Sequence, residues 1–408
     1  MEENKFLNVY SEIGQLKKVL VHRPGKEIEN LTPELMERLL FDDIPFLDVA
    51  QKEHDNFVEL LRDNNVEVYY LKDLIVDTLQ NKDILNKFIN EFISDTKTES
   101  KNIQKELKNF LKSLGTEKMI DKMIEGIRTD EISIEKKDTL SDYSNKNYQF
   151  IADPMPNLYL IRDPFAPIGN GIAMSHMKNE VRRRELIFSK YIINYNEKFT
   201  NSNLDKWYSE KDKYSLEGGD IEVLSDKILA IGISKRTIPE AIDKIGQRLL
   251  NENNSYKTVL AFDIPKGDEF LHLDTVFTML DYNKFIIHPD IEGPMKVYSI
   301  QKDYNDEIVY HEEHMTLEKI LSKYLNHKYI ELIRCGGHRG IDASREQWSN
   351  GTNILAIAPG KIVANARNHV TNDLLANKGL DVNVISSSEL SRGHGGPRCM
   401  ALPLERKN

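Results

Sequence analysis

The sequence predicts an α/β fold on three observations. Apolar runs of strand length recur along the chain, two of them ending at Pro-Gly and one entered through Gly-Gly. Between them lie stretches with apolar residues at helical spacing, several opened by capping residues. One long stretch, 75–150, drops the strand signal and keeps only the helical one. Strands alternating with helices define the class, although no sharp internal repeat is visible in the residues themselves.

The elements follow in order. KKVLVHRPG is an apolar strand ending in a Pro-Gly turn. Thr32-Pro33-Glu34 opens a short helix, with Thr32 as N-cap and proline in the first turn. A helix from about Asp48 to Asn64 leads to the strand VEVYYL (66–71). No proline occurs between Pro45 and Pro154. Within that span Ile84, Leu85, Phe88, Ile89 and Phe92 form one helical stripe, and Ile103, Leu107, Phe110, Leu111 and Leu114 another. We read 75–150 as a helical insertion within a catalytic unit spanning 1–408.

Farther on, ILAIGI (228–233) is a strand, and Thr237-Ile238-Pro239-Glu240 reads as a capping box starting the next helix. NILAIAPGKIVAN (353–365) reads as a hairpin around Pro-Gly. Thr371 is expected to cap a helix ending near Gly379.

Composition narrows the function. The formal charge is −10 and the pI about 5.7, which argues against a nucleic-acid footprint and suits a cationic small molecule. No run approaches ~18 consecutive apolar residues, and the first residues lack an apolar core. Two cysteines in 408 residues do not build a disulfide framework. The expectation is a cytoplasmic protein with no membrane association. No G-x-G-x-x-G or P-loop is present, so no nucleotide cofactor is expected. HEEH (311–314) has three-residue spacing where a zincin helix needs four, and no metal is expected. Self-association is left open.

The candidate chemistry is spread along the chain. Cys399 follows a glycine-rich cationic run, GHGGPR, and is either a small buried hydrophobe or a thiolate stabilised by Arg398 and backbone N–H groups. FLHLDTVFTML (270–280) reads as a strand that projects His272 and Asp274 from one face, roughly 7 Å apart. Glu217 stands beside Gly-Gly in YSLEGGDIEVLS. Asp163 sits where the strand reading of PNLYLIRDPFAPIG gives way to loop, as a site residue or an Asx-turn. Arg236 lies between a strand and a helix. Arg182 to Arg184 form a cationic run on a helix, either solvated or with one arginine reaching inward to a carboxylate. A thiol, a histidine and three carboxylates exceed what a thiol protease needs, and the surplus acid suits a guanidinium.

At this point the sequence resembles a known family, the arginine deiminases of the guanidino-group-modifying (pentein) superfamily. The resemblance is carried by VYSEIGQLKKVLVHRPG, LLFDDIP, PNLYLIRDPFAPIG, VRRREL, LEGGDIEVLS, IGISKRT, FLHLDTVFT, REQWSNGTNILAIAPG and ELSRGHGGPRCMALPL, in the family's order. It implies a five-bladed α/β propeller with a helical insertion, a site on its central axis and no cofactor. It implies that Cys399 attacks the guanidinium carbon of L-arginine, gripped by Asp163 and Asp274. His272 would protonate the departing ammonia and then activate water against the S-amidino intermediate, with Glu217 orienting it. Asn157, Arg182 and Arg236 would hold the α-carboxylate end.

The chain departs from the family's usual pattern at His394, at His338-Arg339, and in lacking Tyr-Asp before Arg367-Asn368. Rival readings are an amidinotransferase, another guanidine-modifying hydrolase of the same fold, and a non-catalytic arginine-binding protein. Arg182 and Arg236 argue against agmatine, which has no carboxylate.

Overall fold

The apolar strands pair in one pattern five times. In a computed structural model, which describes residues 6–133, 138–140, 149–252, 254–267, 270–292, 295–338 and 340–407, each unit has an entering strand, an antiparallel middle strand and a third strand parallel to the middle one. A parallel neighbour requires a crossover connection, and a helix supplies it in each unit.

The first unit joins Leu402–Lys407, Gln15–Val21 and Glu67–Tyr70, with the helix Leu47–Asp63 crossing over. The second joins Phe165–Ile168, Gly171–Met174 and Asp205–Tyr208, with Glu185–Tyr195. The third joins Ile221–Ser225, Ile228–Ile233 and Thr258–Asp263, with Pro239–Asn251, and is extended by Lys296–Lys302 and Ile308–Glu313. The fourth joins Phe277–Asp281, Lys284–Ile287 and Glu331–Arg334, with Leu317–Leu325. The fifth joins Leu355–Ala358, Lys361–Asn365 and Asp381–Ile385, with His369–Asn377. Among the described residues no sheet closes on itself.

The apolar core lies between units. Leu20, Leu402, Phe165 and Met174 share one cluster across the first and second. Ile168, Trp207, Val223 and Leu229 bridge the second and third. Leu260, Phe277, Ile286, Ala356 and Ile362 join the third, fourth and fifth. Leu16, Val19, Leu355 and Val363 link the fifth back to the first. Between the first two units the chain forms the helices Leu71–Thr78, Lys82–Asp95, Lys101–Ser113 and Thr116–Glu125. Their stripes are buried at Phe88, Ile89, Phe92, Ile103, Leu107 and Leu111, and Phe88 meets Phe188 and Tyr191 edge-on. Residues 134–137 and 141–148 of this stretch, and Arg339, lie outside the described residues. Among the described residues, no helix is long and apolar enough to cross a membrane.

Several local expectations are corrected. Residues 270–280 are not one strand: Leu273–Thr275 is a 3-10 turn and the strand starts at Phe277. The Leu273 N–H donates to Asp220 Oδ1 at 2.8 Å and the Thr275 N–H to the His272 carbonyl, so side-chain and turn bonds replace the ladder. Pro156–Tyr159 is likewise a 3-10 turn, and strand follows Asp163 instead of preceding it. Arg182 closes a 3-10 turn, Glu180–Arg182, ahead of the helix that begins at Glu185.

Thr237 forms no capping box. Ile238 is the N-cap, and the Thr237 hydroxyl accepts the Glu217 N–H. Thr371 lies inside its helix, with its hydroxyl on Glu346. The 353–365 hairpin forms as expected.

Candidate active site

Each unit's first strand is approached through a loop or turn, and these five approaches carry the site. Asp163 stands two residues before Phe165, and Glu217 four before Ile221. His272 and Asp274 stand five and three before Phe277, Asn353 two before Leu355, and Cys399 three before Leu402. All six are nine-tenths or more buried.

Cys399 is held at two points. Its N–H donates to Asn353 Oδ1 at 3.0 Å, and Asn353 Nδ2 donates to Sγ at 3.1 Å. Asp274 Oδ2 lies 3.4 Å from the sulfur. Burial, then the Asp274 and Asp163 carboxylates, push the thiol well above its ordinary range, while Arg398 opposes them. Among the described residues, the Arg398 guanidinium is hydrogen-bonded to other acceptors than the sulfur. It donates to Glu12 Oε1 at 2.9 Å, to Asp274 Oδ2 at 2.8 Å and to the Ile221 carbonyl at 2.8 Å.

His272 pairs through Nε2 with Glu217 Oε2 at 2.9 Å, and its Nδ1 lies 3.9 Å from Asp163 Oδ1. Burial works against a charged ring, yet Asp163 and Glu217 raise His272 to about 9. Glu217 is itself held ionised against its burial by Arg236, His272 and Arg182, and accepts the Lys178 N–H at 3.0 Å.

Backbone reaches this close only because Gly219 has no side chain. A Cβ there would lie 2.7 Å from His272 Nδ1 and 3.0 Å from Asp163 Oδ1. The Gly-Gly pair therefore serves close approach, and neither residue has a positive φ.

Arg182 is the inward arginine of its run. It forks onto Glu185 and donates through Nη1 to Asp163 Oδ2 at 2.5 Å. Arg183 and Arg184 instead bond the Met177 carbonyl and Asp95. Arg236 donates to Glu217 Oε2 at 3.3 Å, and Asn157 donates to the Leu39 carbonyl at 2.6 Å. Two carboxylate oxygens at this centre, Asp163 Oδ1 and Asp274 Oδ1, are buried without a hydrogen-bond partner among the described residues.

Asp163, Glu217 and His272 bring three ligand atoms within 4.8 Å of one another, a set that a metal could use. Arg182 and Arg236 each form an ion pair with one of these two acids, so the protein's own cations already meet part of their charge. His311 and His314 are exposed, at and just beyond the edge strand Ile308–Glu313. Successive residues of a strand alternate sides, so a three-residue spacing there does not bring two rings together.

A family model described as Arginine deiminase matches residues 37–406. The chain belongs to the arginine deiminase family. Similar curated proteins named arginine deiminase include one from Clostridium perfringens, 50% identical with both chains covered in full. Another, from Streptococcus agalactiae, is 46% identical, again over 100% of each chain. A third, from Bacillus cytotoxicus, is 44% identical over 98% of this chain and 99% of its own.

Among solved structures, the amidinotransferase SxtG from Microseira wollei is similar at a TM-score of 0.55 and 15% identity, covering 99% and 98% of the two chains. A mutant of DDAH from Pseudomonas aeruginosa complexed with citrulline gives 0.53 at 14%, covering 95% and 99%. The N-terminal domain of the cyanobacterial arginine dihydrolase ArgZ gives 0.52 at 12%, covering 95% and 97%. These are pentein-fold enzymes, and the likeness shows that α/β fold.

In this arginine deiminase family member, the five residues read as catalytic lie in one buried cluster, with Arg182 and Arg236 bonded to its acids. Asn157 joins through its carbonyl, which accepts Arg182 Nη2 at 3.4 Å. Sequence reasoning missed Asn353, Glu185, Glu12 and Asp220. Asn353 had one usable signal: it precedes a strand by two residues, as Asp163 does.

Proposed function

We propose that this protein hydrolyses L-arginine to L-citrulline and ammonia through a covalent adduct on Cys399. Family membership and full-length relatives named arginine deiminase support the activity. One structural observation supports the residue roles most: two orphaned oxygens, one each on Asp163 and Asp274, in a closed site beside a thiol. Buried acceptors without donors are costly, and a planar cation with several N–H groups satisfies both at once. We further propose that the five units surround a common axis as blades of a propeller, since their core clusters link neighbours in cyclic order.

The chemistry divides among the residues as follows. Asp163 and Asp274 receive the guanidinium. Its charge offsets the carboxylates that hold the thiol protonated, and the thiol proton leaves toward Asp274 Oδ2. Sγ then bonds to the guanidinium carbon. His272, kept protonated by its acids, gives its proton to a terminal nitrogen, and the C–N bond breaks to release ammonia. The S-amidino adduct that remains is attacked by water, whose proton His272 takes. The C–S bond breaks, the thiol regains a proton, and citrulline leaves. Glu217 orients the ring throughout. Arg182, Arg236 and Asn157 hold the substrate's α-carboxylate end.

The test compares citrulline formation from arginine, agmatine and methylated arginines, with mass mapping of the adduct after rapid quenching with arginine. Turnover of arginine with an amidino adduct on Cys399 is the expected result. Turnover without any adduct at Cys399, or an unimpaired Cys399→Ser variant, would refute the nucleophile assignment.

A further inference from the structure

Among the described residues, the sulfur at the centre of this site has carboxylates around it and no imidazole hydrogen-bonded to it. Asp274 Oδ2 is 3.4 Å away, and Asp163 adds to the negative potential. The ring nitrogens of His272 face Glu217 and Asp163, and the Arg398 guanidinium is spent on Glu12, Asp274 and the Ile221 carbonyl. Among the described residues, the side-chain donor that meets Sγ is the amide of Asn353, at 3.1 Å.

Its orientation follows from its other bond. A backbone N–H can only donate, so the end of the amide facing the Cys399 N–H must be the oxygen, which leaves the NH2 end on sulfur. The amide is also immobilised. Asn353 is fully buried, its N–H donates to the Asn350 carbonyl, and Gly396 packs against it so closely that a Cβ there would fall 2.7 Å from Oδ1. Asn353 thus fixes the nucleophile's backbone with one end and offers a proton to its side chain with the other. A preorganised donor aimed at developing charge in a dry site needs no reorganisation when the charge appears.

We propose that Asn353 is a further catalytic residue, donating Nδ2–H to the Cys399 thiolate during attack and again to the departing sulfur when the adduct breaks down. The proposal rests on Cys399 being the nucleophile. The substrate cation and this amide together then stabilise the thiolate once its proton has left toward Asp274 Oδ2, as a neighbouring imidazolium does beside other catalytic thiols.

The test uses Asn353→Asp, which keeps an oxygen for the Cys399 N–H and replaces the donor on sulfur by an anion. Asn353→Ala removes the donor without adding charge. Iodoacetamide alkylation of Cys399 is followed against pH in the intact protein, beside steady-state kinetics. In Asn353→Asp the alkylation profile should move up by about one pH unit or more, and kcat should fall by about 100-fold or more with KM changed far less. Asn353→Ala should move the profile in the same direction by less.

An unshifted profile with near-normal kcat in both variants overturns the proposal while leaving Cys399 as nucleophile. Loss of fold in both variants also overturns it, assigning Asn353 to structure alone. If alkylation of wild-type Cys399 leaves arginine turnover intact, the underlying nucleophile reading has failed instead, and the two failures are distinct.

Discussion

Arg182 donates through Nη1 to Asp163 Oδ2, so a guanidinium of the protein itself sits on one of the acids proposed to grip the substrate's guanidinium. Its Nε and Nη2 fork onto Glu185, which keeps the charge buried and paired. Arg182 thus stands between the acid it now holds and the α-carboxylate it is proposed to bind. Arg182→Lys keeps a positive charge but cannot serve Glu185 and Asp163 in the same fork. The expected outcome is a folded protein whose kcat/KM for arginine falls by about 30-fold or more. Agmatine, with no carboxylate to lose, should be affected far less; steady-state rates for both substrates check this.

The pH profile should report His272 directly. Its folded value is raised to about 9 by Asp163 and Glu217 against burial, so the proposed proton donor is present below that pH and lost above it. In the free enzyme, kcat/KM should therefore decline as pH rises through about 9. Because the folded value exceeds the unfolded one, the stability from this pairing is full below about 6.5 and is lost as pH rises toward 9. Glu217→Gln removes a supporting carboxylate, and the alkaline limb should move to lower pH together with a fall in kcat. An unmoved limb would detach it from His272.

Gly219→Ala tests the close approach. The added Cβ would press on His272 Nδ1 and Asp163 Oδ1, whose side chains are held through their other ends, Nε2 on Glu217 and Oδ2 on Arg182. A displacement of this size in a reacting geometry costs on the order of 100-fold in kcat. Far-ultraviolet circular dichroism should remain native while kcat falls. Full activity would contradict the geometry drawn around this backbone.

Glu12 anchors the nucleophile's neighbour from the far end of the chain. It accepts from Arg398 at 2.9 Å and lies 3.6 Å from Arg162. It is held ionised, at about 2, by Arg398, Arg162 and Arg406 against its burial. Glu12→Gln leaves these buried guanidiniums short of a counter-charge and should cost about 3–5 kcal/mol of stability in urea denaturation. The pairing's own contribution is present above about 4.5 and lost as pH falls through about 2.

Chelation and alkylation separate a thiol mechanism from a metal one. Prolonged dialysis against EDTA should leave turnover unchanged, whereas iodoacetamide should abolish it, with excess arginine slowing the loss. Inactivation by EDTA restored by a divalent cation would redirect attention to Asp163, Glu217 and His272.

Much of the site was legible because its acids, histidine and cysteine stand in short runs whose flanking residues carry the family resemblance. The backbone that presents them was less so. Alternating apolar residues in 270–280 suggested a strand, but the carboxylate of Asp220, fifty-three residues away, takes the Leu273 N–H and helps hold a turn. The fivefold pattern entered only through the resemblance and showed no residue repeat, because it resides in strand pairing while each unit fills its interior with different residues. Glu12 stands in the matching run VYSEIGQLKKVLVHRPG but was read with no role, since its partner Arg398 is 386 positions distant and only the folded chain brings them together.

The pairing of Leu402–Lys407 with Gln15–Val21 sets a condition on biosynthesis. A chain growing from its amino end carries the earlier strand with an open edge until the later one is made. Cys399 arrives with that later strand, three residues ahead of it. On the proposed mechanism, competence appears only once residues 402–407 have been made and have paired with 15–21.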